Sequence, residues 1–396
     1  MKNQITQGEW VVKAVDYVDE ANRQIWFRAG GTQAGRNPYF SHYFRVGFDG
    51  AGLTQFTDAN GHHQVTWSPD REFYVDTWSR QDAPPVSMLR RTRDQSVVME
   101  LERADISALI AQEWTSPEPF VAKGHDGVTD IWGVIVRPSN FDPSRRYPVI
   151  EYIYATQSPQ LLKDFQISAN FQRGARLSVF RWHRQMMTLA ELGFIVVQIE
   201  GMGSSGRSKA FQAVRWKNLK GDSYPDRIRW HQAVAEQYPY YDVDRVGVIG
   251  FSAGGRAAAD GIIFFPEFYD VAVASSGGYD LRLGIMAWEQ YLGWPVGPLY
   301  DENSVLDNAW RLQGKLLISV GETDLGTPHT LRFAAALIKA KDFDMAVVPV
   351  RGHSAPWRGM FFQRKAWDFF VRHLLGVEPP NRNAVGAGSC KSQQCQ

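Results

Sequence analysis

A chain of 396 residues, 44% hydrophobic and 21% charged, has the balance of a soluble globular protein with room for two domains, or for one large domain with an extension. Its formal charge of +1 presents no field to a polyanion, so nucleic acid is excluded as an expected partner. The two cysteines, Cys390 and Cys395, fall in a polar tail, which leaves neither a disulfide framework nor a thiol metal site to expect.

The amino terminus, Met1-Lys2-Asn3-Gln4-Ile5-Thr6-Gln7, has no apolar core and no cleavage signature. No stretch approaches the ~18 uninterrupted apolar residues of a membrane span. As written, the chain is expected to be cytoplasmic with no membrane partner; a periplasmic or secreted location opens only if it is a fragment.

Residues 1 to about 100 read as short strands separated by turn residues. Val11–Val15 and Gln24–Ala29 flank an Asp-Glu-Ala-Asn turn, and Tyr43–Val46 and Leu53–Phe56 flank a glycine-bearing loop. Thr66–Asp70, Glu72–Asp76 and Val86–Arg90 continue the series. This spacing, with recurring aromatics, predicts β-propeller blades. At ~45 residues per blade the region makes about two, and a ring closes with about four or more. An open pair leaves strand edges unpaired. Either the chain is the carboxyl-terminal part of something longer, or partner subunits complete the ring as a homo-oligomer; a small sandwich is the alternative.

A helical connector is expected at Ala104–Ile110. Strands then recur at Val128–Val136, Tyr147–Tyr154, Phe194–Ile199, Val246–Phe251, Val271–Ser275, Lys315–Val320 and Met345–Val350. Several are unbroken apolar runs, as strands buried on both faces are. Helices fall between them at Met186–Leu192, Pro225–Gln237, Thr330–Lys341 and Arg364–Leu375. The class is therefore α/β with a mostly parallel sheet. From Glu378 the composition turns to that of a disordered tail.

The chemistry centres on Gly250-Phe251-Ser252-Ala253-Gly254-Gly255. An apolar strand before Gly-x-Ser-x-Gly and helix formers after it predict a strand–turn–helix elbow that exposes the Ser252 hydroxyl. Serine is a poor nucleophile until a base takes its proton and an acid orients that base. In elbow proteins these partners follow in the order acid, then histidine, each after a later strand. Asp324, in Gly321-Glu322-Thr323-Asp324, follows the last strand before the histidine loop and is the preferred acid. Asp280 is its rival, and Glu322 serves only with a shifted loop. His353, after Gly352 and the final strand, is the preferred base; His329 and His373 have ordinary helix-end explanations. The oxyanion donors would be the Ala253 N–H and a group from the loop beginning at Tyr154, its hydroxyl or a backbone amide. No histidine, the His62–His63 pair included, has ligand spacing, so no metal and no cofactor is expected.

At this point the chain resembles the prolyl oligopeptidase family of serine peptidases, in its dipeptidyl-peptidase IV branch, and looks like the carboxyl-terminal half of a bacterial member. The matching pieces run in family order: Trp67-Ser68-Pro69-Asp70, Val75–Ser79, Ala122–Gly127, Tyr147–Tyr154, Gly201–Phe211, Gly250–Gly255, Gly321–Asp324 and Gly352-His353. The resemblance implies an α/β-hydrolase fold capped by a propeller. It carries the family triad to Ser252, Asp324 and His353 and the oxyanion tyrosine to Tyr154. It also implies the division 1–118 (partial propeller and connector), 119–377 (hydrolase) and 378–396 (tail). The expected function is a serine peptidase that cleaves oligopeptides through an acyl-enzyme. An esterase on the same triad and a catalytically silent binding module are the alternatives. Two departures stand out. The family's proline pocket uses a tyrosine directly after the nucleophile, where this chain has Ala253. Further family tyrosines would fall near Leu283 and Ala287, while Trp288, Tyr291 and Trp294 lie close by.

Overall fold

A computed structural model describes residues 3–154, 185–283, 285–339, 341–349, 352–353 and 359–381. The amino-terminal part forms two antiparallel sheets, each of four strands in chain order. The first holds β1 (Val11–Asp19), β2 (Gln24–Gly30), β3 (His42–Gly47) and β4 (Thr54–Gln55); the second holds β5 (His62–Trp67), β6 (Phe73–Arg80), β7 (Ala83–Arg91) and β8 (Val97–Arg103). These are two propeller-like blades. An aromatic cluster joins them: Trp26 of β2 stacks on Phe56 at 5.0 Å and meets Trp67 of β5 edge-on at 4.7 Å. The Tyr74 hydroxyl of β6 donates to the Phe56 carbonyl at 2.6 Å, which satisfies the one polar atom that this ring carries inside.

The second part is an eight-stranded sheet made of β9 (Glu118–Lys123), β10 (Asp130–Val136), β11 (Tyr147–Tyr152), β12 (Ile195–Ile199), β13 (Tyr241–Phe251), β14 (Val271–Ser275), β15 (Lys315–Gly321) and β16 (Asp344–Val348). Their spatial order is β16-β15-β14-β13-β11-β12-β10-β9. Neighbours from β16 through β12 are parallel, and β10 and β9 add antiparallel pairings. Helices cover both faces, as a parallel sheet requires. Trp230, Ala258, Ile262 and Phe333 pack in one apolar layer; Leu189, Phe362, Ala366 and Phe370 pack in the other. This is the α/β-hydrolase arrangement, with β13 near the middle.

Several bounds differ from expectation. The helix expected from Thr330 begins at Thr327, because Pro328 fits a first turn that needs no N–H. The last helix begins at Met360 and continues through a π-helical turn, Val371–Leu375. Strands β8 and β9 and helices Ile285–Leu292 and Pro298–Glu302 were not anticipated. The expected tail beyond 381, with both cysteines, lies outside the described residues. No described helix is long and apolar enough to cross a membrane.

Candidate active site

Strand β13 runs into Ser252, and helix Ala253–Phe264 starts at the next residue. Ser252 adopts φ 59° and ψ −122°, a backbone conformation that side-chain-bearing residues rarely hold. The surroundings impose it. A Cβ on Gly250 would lie 2.1 Å from the Gly254 carbonyl oxygen, and one on Gly254 would lie 2.4 Å from that of Ile153. One on Gly255 would lie 2.1 Å from the Ser275 carbonyl oxygen. The Ser252 N–H donates to that same Ser275 oxygen at 2.9 Å, tying the turn to the end of β14.

Asp324 follows β15 and His353 follows β16, so the topology carries both to the carboxyl edge where Ser252 stands. His353 Nε2 lies 2.8 Å from Ser252 Oγ, and Nδ1 lies 2.8 Å from Asp324 Oδ1. A proton on Nδ1, held by the carboxylate, leaves Nε2 as the acceptor for the serine hydroxyl. The Asp324 side chain is fully buried, and its Oδ1 also accepts the Gly326 N–H at 2.7 Å. The His353 side chain is 31% exposed and tilts against Phe251 at 4.9 Å between ring centres. The carboxylate is thus fixed from behind while solvent reaches the imidazole. Such a constellation can activate a hydroxyl for attack on an acyl carbon.

The rival residues are engaged elsewhere. Buried Asp280 accepts the Arg282 N–H at 2.9 Å and sits 3.0 Å from Arg332 Nε. His329 Nδ1 accepts the Asp280 N–H at 3.2 Å, and burial pulls that imidazole below its ordinary pKa. His373 packs on Phe369 at 4.5 Å.

As first residue of its helix, Ala253 has an N–H outside the intrahelical ladder. The Tyr154 ring borders the same turn, 3.1 Å from where a Gly254 Cβ would stand. Residues 155–159, the rest of the expected oxyanion loop, lie outside the described residues. Sequence reasoning missed Ser275 as the anchor of the elbow, because its part is played by a backbone carbonyl. Among the described residues no group of three or more His, Cys, Asp or Glu could hold a metal.

Comparison with known proteins agrees with this architecture. Residues 178–376 match the prolyl oligopeptidase family, and residues 1–85 match the dipeptidyl peptidase IV N-terminal region. Dipeptidyl peptidase 8 of Homo sapiens is 26% identical over 378 residues, covering 88% of this chain and 39% of that protein; its Mus musculus counterpart gives 26%, 88% and 40%. The crystal structure of Porphyromonas gingivalis dipeptidyl peptidase 4 superposes with a TM-score of 0.76 at 25% identity, covering 93% of this chain and 51% of that one. The chain therefore spans between about two fifths and half the length of these relatives.

Proposed function

The chain belongs to the prolyl oligopeptidase family, and from that premise we propose that it is a serine peptidase acting on oligopeptides. The observation that carries the reading is the continuous hydrogen-bonded line Ser252 Oγ, His353, Asp324. His353 takes the hydroxyl proton as Ser252 attacks the peptide carbonyl, then hands it to the leaving amine; Asp324 holds the imidazole and stabilises its charged form. The Ala253 N–H and Tyr154 receive the oxyanion. Water, activated by the same imidazole, clears the acyl-enzyme. No step needs a metal or cofactor. Residues 1–118 serve as the partial propeller and connector, 119–377 as the catalytic domain and 378–396 as a tail.

A fluorophosphonate probe tests this directly. Labelling of the folded protein that disappears in Ser252→Ala is the expected result, together with turnover of peptide amides. A folded protein that takes no label refutes the reading. Turnover of short acyl esters without any amide cleavage would make it an esterase instead.

A further inference from the structure

Arg256 stands one turn into the nucleophile helix, its N–H donating to the Ser252 carbonyl at 3.0 Å. Three residues apart, Ala253 and Arg256 share a helix face. Ala253 contributes only a methyl group there. The Arg256 side chain is 3% exposed, yet its bonds are one-sided. Nη2 donates to the Asn303 carbonyl at 2.9 Å and to Asp260 Oδ1 at 3.3 Å, and Nε sits 3.2 Å from Asp260 Oδ2. Nε, for all its closeness to Asp260, and Nη1 are both buried with no hydrogen-bond partner among the described residues, and Nη1 has no ion-pair partner there either. A buried guanidinium N–H without an acceptor is costly, and native interiors rarely leave one.

The surroundings favour an anion as the missing acceptor. The Trp288 ring lies 4.8 Å from the Arg256 guanidinium carbon and closes one side. The loop after β14 approaches through two glycines: a Cβ on Gly277 would lie 2.5 Å from the Tyr279 ring and 2.8 Å from the Arg256 amide nitrogen, and one on Gly278 would lie 2.9 Å from the Trp288 ring. A second arginine, Arg215, sits 3.4 Å from Asp222 and 5.2 Å from the Tyr291 ring centre. Burial pushes the carboxyls of Asp222 and Asp260 up to about 6 and about 7, although the arginines pull the other way. At neutral pH Asp260, the carboxylate paired with Arg256, is therefore only partly ionised.

Building on the peptidase reading, we propose that Arg256 forms the floor of an acid-accepting subsite. Its Nη1 there binds the side-chain carboxylate of an Asp or Glu whose own carbonyl Ser252 attacks.

The test uses the unmodified chain and five matched chromogenic amides that differ only at that residue: Glu, Gln, Asp, Asn and Ala. A charge-assisted hydrogen bond of this kind should raise kcat/KM for Glu over Gln, or Asp over Asn, by about ten- to a hundredfold. Arg256→Met should bring the ratio to about one. Equal or faster turnover of the neutral member by the unmodified chain overturns the proposal, and so does turnover of none of the five by a protein that labels. The fluorophosphonate probe separates the two claims. Labelling without acid preference sinks the subsite alone, whereas no labelling sinks the hydrolase reading and the subsite with it.

Discussion

Gly255→Ala is the sharpest mechanical test of the elbow. The new Cβ would stand 2.1 Å from the Ser275 carbonyl oxygen. A normal carbon–oxygen contact needs about 1 Å more, so one of the two backbones must retreat by roughly that amount. Ser275 is pinned on both sides: Phe251 and Ser319 are its register partners on β13 and β15, and the Ser319 hydroxyl donates to its own at 2.9 Å. If Ser275 yields, the 2.9 Å bond from the Ser252 N–H to its carbonyl breaks; if the helix yields, Ser252 moves. Overpacking costs about 1–3 kcal/mol and the lost hydrogen bond about 1 kcal/mol more. A nucleophile displaced by about 1 Å loses about a hundredfold in rate. The assay pairs a thermal melt with the second-order rate of fluorophosphonate labelling. Gly297→Ala is the control, since its Cβ meets nothing nearer than the Pro295 carbonyl oxygen at 4.0 Å and its φ of −156° suits any residue. A Gly255→Ala protein that melts and labels like the control would refute the account of the elbow.

Asp324→Asn should lower amide turnover by about ten-thousandfold, because the amide no longer fixes the tautomer that leaves Nε2 free to accept; a loss under tenfold contradicts the orienting role. Glu151→Gln should destabilise by about 3–5 kcal/mol in urea unfolding, since fully buried Glu151 pairs with buried Arg227 and accepts the Tyr269 hydroxyl at 2.7 Å. A loss below about 1 kcal/mol would mean that water reaches Arg227. Stability should also fall as pH rises from 6.5 to 8. Asp260 is pushed up to about 7 by burial, so over this range the folded chain holds a proton that the unfolded chain has already released, and raising the pH removes that advantage, by about 1 kcal/mol. The pH is kept above 6.5 because His42, pulled down to about 4, acts in the opposite sense below it. An unchanged melting temperature across the range, or the same fall in Asp260→Asn, would remove Asp260 as the cause.

The buried strands were legible because both their faces are apolar: Val271–Ser275 reads the same in sequence and structure. Strand β8 was not, since every residue of Val97–Arg103 is exposed and apolar and charged side chains mix without a covered face to sort them. Ser252, Asp324 and His353 were readable as candidates because each follows a strand, and strand ends share an edge in a parallel sheet. Contacts across the fold carry no such signal. His63, unremarkable beside His62, is buried with its Nδ1 2.7 Å from Asp76 Oδ1, a pairing created by β5 lying against β6. Arg256 reads as an ordinary helix residue until the fold buries it and leaves its Nη1 without a partner among the described residues.

How the two parts of the chain hold together follows from one buried contact. Tyr39, in the turn before β3, belongs to the same apolar layer as Phe194 and Phe370 of the hydrolase sheet. Its hydroxyl donates to the carboxylate of Glu200, at the end of β12. Glu200 also accepts the Trp132 N–H at 2.9 Å and pairs with Arg207 at 2.8 Å. Burial pushes the Glu200 carboxyl up, so that carboxylate depends on these three donors to stay charged. From Glu200 the chain continues to Met202, whose N–H donates to Asp226 Oδ2 at 2.7 Å, and Asp226 Oδ1 in turn takes His125 Nδ1 at 2.7 Å. Swinging the first blade away would expose Tyr39 and strip a buried carboxylate of one donor at the root of this loop. Each of those costs on the order of 1–3 kcal/mol, so the blade separates from the carboxyl edge of the sheet only in a minor population.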